Sequence, residues 1–453
     1  MSGSVRRFWC ESAWLGGEQA VDGVLVESVD GIINAVTEGS ACPADALRLP
    51  GLVLPGLANA HSHAFHRALR GRTQMGAGSF WTWRDQMYAA AARLQPDSYH
   101  RLARAVFGEM AMAGITCVGE FHYLHHDSGG RAYSDPNAMG AALVAAARDA
   151  GIRITLLDTC YLHGGLSSTG EVIPPNAVQS RFADASVDRW EERVDAARAL
   201  SGGHAQVGVA AHSVRAVDPA SIARVAVFAA QHDMPLHTHL SEQPAENEQC
   251  RAAYGGTPAQ VFSDAGALTR SFTAVHATHL TDADVALLGG VGCTCCFCPT
   301  TERDLADGIG PAKRLRDGGA LLSLGSDSHA VIDLFEEARA VELDERLASN
   351  ERGRHDAVSL LRMATSNGHA SLGWHDAGEI AVGRRTDLVA VRLDSVRTAG
   401  ADAASSLAIV LYAAGAADVT HVVTDGLLIV EGGRHARLEV AEELGDAIRG
   451  LMR

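Results

Sequence analysis

The histidines of this chain fall in pairs, and the pairs close apolar runs. His61 and His63 stand one residue apart at the end of a run that begins at Leu52. Side chains i and i+2 of a strand share a face, so both imidazoles point the same way, which is metal-ligand spacing. A later run ends in His237-Thr-His239, with Glu242 three residues on. Another carries His276 and His279, and a last one ends in Gly325-Ser-Asp327-Ser-His329. A single histidine in an apolar strand is more often a satisfied core residue, so each fragment alone says little. The ordered set, from His61-x-His63 through His239-x-x-Glu242 and His276 to Asp327, predicts one bound divalent cation. Such a cation lowers the pKa of a bound water toward ~7, which points to hydrolysis.

For these groups to meet, the runs must be neighbouring strands that open on one mouth. Eight apolar runs bounded by turn residues can be counted, at 52–60, 115–123, 152–161, 207–212, 235–240, 272–278, 291–297 and 320–326. Ala-rich amphipathic stretches lie between them, at 96–113, 137–150, 187–201, 219–232 and 283–289. Strands alternating with helices predict an α/β chain with a parallel sheet, and eight such strands close a (β/α)8 TIM-like barrel whose site lies at the strand C-termini. Residues 55–376 are assigned to this catalytic barrel. Residues 1–54 and 377–453 hold short, Gly-punctuated strands, and both ends are expected to build one small β-sandwich beside it. Residues 163–185 read as a long polar loop at the active face.

Composition narrows the partners. The chain has 453 residues, 38 Lys+Arg against 54 Asp+Glu, and a formal charge of -16. That field excludes nucleic acid and an anionic membrane surface as partners. No apolar stretch is long enough to span a membrane, and the first residues lack the apolar core of a secretory signal. Nine cysteines without framework spacing read as reduced thiols, and the chain is expected to be cytoplasmic. Cys293, Cys295, Cys296 and Cys298 alternate along one strand and read as buried structural thiols. His122, His125 and His126 read as pocket wall or satisfied loop residues. Trp81 and Trp83 suit a lid or core packing equally.

Longer strings carry a resemblance. They are Leu57-Ala-Asn-Ala-His-Ser-His-Ala-Phe-His-Arg67, Ser79-Phe-Trp-Thr-Trp-Arg84, Glu120-Phe-His-Tyr-Leu-His-His-Asp127, His212-Ser-Val-Arg215, Val275-His-Ala-Thr-His279 and Gly325-Ser-Asp-Ser-His329. Together they resemble the amidohydrolase superfamily of metal-dependent barrel hydrolases and deaminases, and within it the formiminoglutamate deiminases of histidine degradation. Two-metal members bridge their ions with a carboxylated lysine or a carboxylate at an early-middle strand end. The single lysine here, Lys313, follows the seventh run, and the fourth ends in His212. One Zn²⁺ per subunit, bound by His61, His63, His239 and Asp327, is therefore expected, although Fe²⁺ also accepts this set.

The resemblance further implies that His276 takes the proton of the water and that Glu242 protonates the substrate's imine nitrogen. Asp327 both ligates and hydrogen-bonds the water. The metal-bound hydroxide would attack the formimino carbon of N-formimino-L-glutamate, giving N-formyl-L-glutamate and ammonia. Tyr123, His212 and Arg215 match the family's binders of this small acidic substrate, and Arg84 is a further cation near the mouth. His66 stands where the family motif has Gln, and its charge is expected to vary with pH. Relatives suggest a homodimer. The rival readings are a deaminase of nucleobases or triazines and a catalytically dead scaffold barrel.

Overall fold

The computed structural model describes residues 5–74 and 80–452. Ser79 and the Trp81 side chain, on which sequence readings rest, lie outside the described residues. Eight parallel strands follow one another around the molecule: β1 (Leu57–Ser62), β2 (Ile115–His122), β3 (Arg153–Cys160), β4 (Ala205–Ala211), β5 (Leu236–Leu240), β6 (Phe272–His276), β7 (Thr294–Phe297) and β8 (Leu321–Leu324). Every residue of β2, β3, β5, β6 and β7 is buried, as expected where helices cover a sheet from outside. A parallel bridge between Ser62 and Asp327 joins the two outer strands, and Asp327 N donates to His61 O at 3.0 Å. The barrel closes at the point where two chemistry-bearing segments meet.

The run at 52–60 is not one strand. Leu47–Pro55 belongs to a second sheet, and the chain breaks at Gly56 before β1 begins. A Cβ at Gly56 would lie 2.2 Å from Thr116 Oγ1, so only glycine lets the chain pass there. The second sheet has eight strands drawn from both chain ends. It curls until the Gly31 turn meets Asp425, and it encloses its own core of Phe8, Val24, Val26, Leu49, Leu388 and Val423.

The helices start where their caps dictate. Asp218 accepts from Ser221 N ahead of Pro219–Gln231, and Ser186 accepts from Arg189 N ahead of Val187–Ala197. Two more helices bear on the site and are labelled α1 (Phe80–Ala91) and α2 (Pro96–Met112). The loop expected at 163–185 contains a short hairpin, Gly165–Leu166 with Val172–Ile173, followed by a 3-10 turn at Gln179–Arg181. The strand beginnings are sealed by the segment 366–374. His237 Nε2 meets Ser371 O at 2.8 Å, Thr155 Oγ1 donates to Leu372 O at 2.7 Å, and Asn367 donates to Leu322 O at 3.0 Å. Among the described residues, no helix is long and apolar enough to cross a membrane.

Candidate metal centre and substrate pocket

Three strand ends deliver four donors to one point. His61, His63, His239 and Asp327 are buried, and their donor atoms lie within 4.8 Å of one another. His239 Nε2 is 3.2 Å from His61 Nε2 and 3.4 Å from His63 Nε2. Asp327 Oδ1 is 3.3 Å from His61 Nε2 and 3.4 Å from His63 Nε2. A tetrahedron with arms of about 2.0–2.1 Å has edges of about 3.3–3.4 Å, so these separations match a zinc-sized cation.

The protonation pattern says the same. His63 Nδ1 lies 3.0 Å from Phe121 O and His239 Nδ1 lies 3.1 Å from His212 O. A carbonyl only accepts, so each Nδ1 carries the hydrogen and each Nε2 presents a bare lone pair. Burial pushes the pKa of His63 down to about 3 and that of His239 well below the ordinary value, so both rings are neutral. Two lone pairs facing each other at 3.4 Å cannot hydrogen-bond; a cation between them satisfies both. Burial works against the Asp327 carboxylate, yet the neighbouring His61, His276 and His63 rings together outweigh it and hold the carboxyl below the usual range.

The backbone is strained where the chemistry is. His276, Asp327 and His329 adopt φ of 69°, 41° and 57°, a region L-residues rarely occupy. Such conformations persist only where surrounding structure imposes them. His276 Nε2 lies 3.8 Å from Glu242 Oε1 and 3.9 Å from Asp327 Oδ2. Its Nδ1 lies 3.4 Å from Glu302 Oε1, which also accepts from Cys298 N at 2.9 Å. Burial lowers the affinity of His276 for a proton, but Glu242, Glu302 and Asp327 outweigh it and hold the pKa well above the ordinary imidazole value. A dication in the adjacent cradle opposes that shift.

Beside the cradle opens a cavity of about 290 Å³. All five sequence-assigned pocket residues, His66, Arg84, Tyr123, His212 and Arg215, line it together with Glu242, His276 and Asp327. His66 Nε2 bonds the Tyr123 hydroxyl at 2.9 Å. Burial drives the pKa of His66 well below the ordinary value, so its charge does not change near neutrality as the sequence reading had it. Arg215 reaches Glu242 Oε2 at 3.4 Å and Glu246 Oε2 at 3.9 Å. Trp83 packs edge-on to His66 with ring centroids 5.1 Å apart.

Other histidines go elsewhere. His237 faces the barrel floor, and His279 meets Asp307 O at 2.7 Å. His125 binds Thr159 O at 2.9 Å and His126 Nε2 lies 3.3 Å from Asp184 Oδ1, so both are held by neighbouring loop groups away from the cradle. The four cysteines at 293–298 are buried, free thiols split between two packing clusters. Sequence reasoning missed Glu302, Glu246 and Glu120. Glu246 and Glu302 each lie in the first turn of a helix opened by a proline just past a strand end, Pro244 and Pro299. That repeated placement was the available signal, but an acid there also suits any helix N-terminus.

The amidohydrolase family profile matches residues 52–429. This chain belongs to the amidohydrolase family. A formimidoylglutamate deiminase of Pseudomonas aeruginosa is 38% identical over 421 residues, covering 90% of this amidohydrolase and 91% of its own chain. The crystal structure of an amidohydrolase from Brucella melitensis superposes with a TM-score of 0.91 at 30% identity, covering 99% of this chain and all of its own. An adenosine deaminase from Xanthomonas campestris with bound zinc gives a TM-score of 0.82 at 25% identity, covering 98% of this chain and 97% of its own. The family is one of hydrolases, and the His61–His63–His239–Asp327 cradle of this amidohydrolase suits its metal dependence.

Proposed function

We propose that the protein hydrolyses N-formimino-L-glutamate to N-formyl-L-glutamate and ammonia. The observation that carries this reading is one cavity that combines the four-donor cradle with two arginines, Arg84 and Arg215. A compact substrate with two carboxylates has use for both cations, whereas a neutral purine or triazine ring carries no negative charge for them to neutralise. The 38% identity to the Pseudomonas aeruginosa formimidoylglutamate deiminase supports the same choice.

A divalent cation held by His61, His63, His239 and Asp327, with zinc the first choice and Fe²⁺ also compatible, supplies Lewis acidity that makes water a nucleophile near neutral pH. His276 Nε2 accepts a proton from that water, while Glu302 on Nδ1 fixes the ring and stabilises the imidazolium. Asp327 Oδ2 faces the same space and accepts a hydrogen bond from the water. Glu242 lies between His276 and Arg215 and delivers a proton to the imine nitrogen. Water oxygen bonds to the formimino carbon as Glu242 protonates the terminal nitrogen; the remaining hydroxyl proton then returns to Glu242, the proton held by His276 passes to the nitrogen, the carbon–nitrogen bond breaks, and the nitrogen leaves as ammonia. Arg215 and Arg84 grip substrate carboxylates, and the neutral His66 and His212 complete the wall.

The test loads the metal-free protein with one equivalent of Zn²⁺ or Fe²⁺. It then measures ammonia and the formyl product with formiminoglutamate, guanine, cytosine and a triazine. Turnover of formiminoglutamate alone is expected. Turnover of a ring substrate without formiminoglutamate would overturn the assignment.

A further inference from the structure

Three separate segments form the outer wall of the pocket. They are α1, which carries Arg84, Met87 and Tyr88, the end of β2 with Tyr123, and the 161–182 segment that contains the short hairpin. A helix of 12 residues is marginal by itself, and among the described residues of α1 only Met87, Ala90 and Ala91 are buried, with Trp83 and Tyr88 partly so. Something must therefore fix its C-terminal end.

Arg181 sits where the three segments meet, and it is 2% exposed. Its Nε donates to His126 O at 2.9 Å, in the loop after β2. Its Nη1 donates to Ala91 O, and its Nη2 donates to Leu94 O at 2.7 Å and to the Tyr133 hydroxyl at 3.3 Å. Its own carbonyl accepts from His125 N at 3.0 Å and His126 N at 2.9 Å. The side-chain partners are carbonyls and a phenol. Two of those carbonyls are at or just past the C-terminus of α1, where a cation opposes the negative end of the helix dipole. Only a planar fork with three nitrogens can serve all these acceptors together; an ammonium cannot.

We infer that Arg181 is a positioning residue that clamps α1 to the loops after β2 and β3, so that Arg84, Met87 and Tyr88 stay on the wall of the substrate pocket. It touches neither the cradle nor the reacting atoms. The metal ligands stand on other elements, so loss of the clamp leaves the centre intact and loosens substrate binding. The kinetic half of this inference rests on the substrate proposed above; the structural half does not.

The experiment compares Arg181→Lys and Arg181→Ala with Arg153→Lys, an equally buried arginine at the barrel floor that serves as the control for general loss of stability. Both Arg181 variants are expected to keep stoichiometric zinc and to raise KM for formiminoglutamate by about tenfold or more, with kcat little changed. Added guanidinium ion at low concentration should lower the KM of Arg181→Ala. Hydrogen exchange should show faster exchange of the amides of residues 86–94 in Arg181→Lys than in Arg153→Lys. A KM shift no larger than that of Arg153→Lys, or unchanged exchange across 86–94, would overturn the clamp. If the Ala variant does not accumulate, the Lys variant decides. If the wild type does not turn over formiminoglutamate, the proposed reaction fails, and the exchange comparison alone still decides the clamp.

Discussion

Asp327 does two things at once. It offers Oδ1 to the cradle, and its backbone closes the barrel against β1 at a φ of 41°. Asparagine tolerates that backbone region as well as aspartate does, so Asp327→Asn removes charge without forcing the chain to move. Metal analysis of the purified variant should show substoichiometric zinc, with ammonia release reduced by about a thousandfold or more. Full zinc occupancy would remove Asp327 from the ligand set. Arg215 poses a different question, because it is already paired with Glu242 and Glu246. If it also binds substrate carboxylate, Arg215→Met should raise KM by about a hundredfold or more while zinc stays in place. Steady-state kinetics with formiminoglutamate reads this directly, and an unchanged KM refutes the contact.

Between strands, Glu120 of β2 organises the turn that follows β1. It accepts from Ser62 Oγ at 2.6 Å and from Ala64 N at 2.7 Å. Burial pushes its carboxyl up to about 8 despite these donors. Between about 4.5 and 8 the folded state therefore holds a proton that the unfolded chain has released. That contribution to stability is fully present below the unfolded pKa and is lost as pH rises through the folded one. Thermal midpoints measured at saturating zinc should fall from pH 5 to pH 9, and Glu120→Gln should flatten the slope. Parallel slopes would show that Glu120 is ionised throughout. The elements that carry the centre could be read from the chain because His61-x-His63, His239-x-x-Glu242 and Ser326-Asp327 are local patterns at the ends of apolar runs. Glu302 and Arg181 could not, since each gains its meaning from a partner far away in the chain: Glu302 from His276, and Arg181 from Ala91 and Leu94. The break at Gly56 was hidden for a similar reason. What forces it is Thr116, on a strand that the local run of residues does not see.

Across the whole molecule, the barrel and the curled sheet are riveted by one buried cation. Arg153 of β3 donates to Asp387 and Asp425 of the sheet and lies over the Trp374 ring, 5.2 Å from its centroid. Removing one partner of a buried pair strands the other charge, at a cost of about 3–5 kcal/mol. Arg153→Met should therefore lower the urea midpoint strongly with the slope of the transition unchanged. A loss below about 1 kcal/mol would mean that water reaches Asp387 and Asp425 once the guanidinium is gone. The eight-run count and the pairing of the two chain ends were readable because strand and helix periods alternate so regularly. This junction was not, because its members are contributed by three distant stretches.

The seal formed by residues 366–374 under the strand beginnings also governs traffic. Among the described residues it closes the strand beginnings beneath the pocket, which lies at the strand ends. In the reaction proposed above, reactant and both products would then pass on the strand-end side of the barrel. A molecule lodged at the rim would block departure as effectively as arrival.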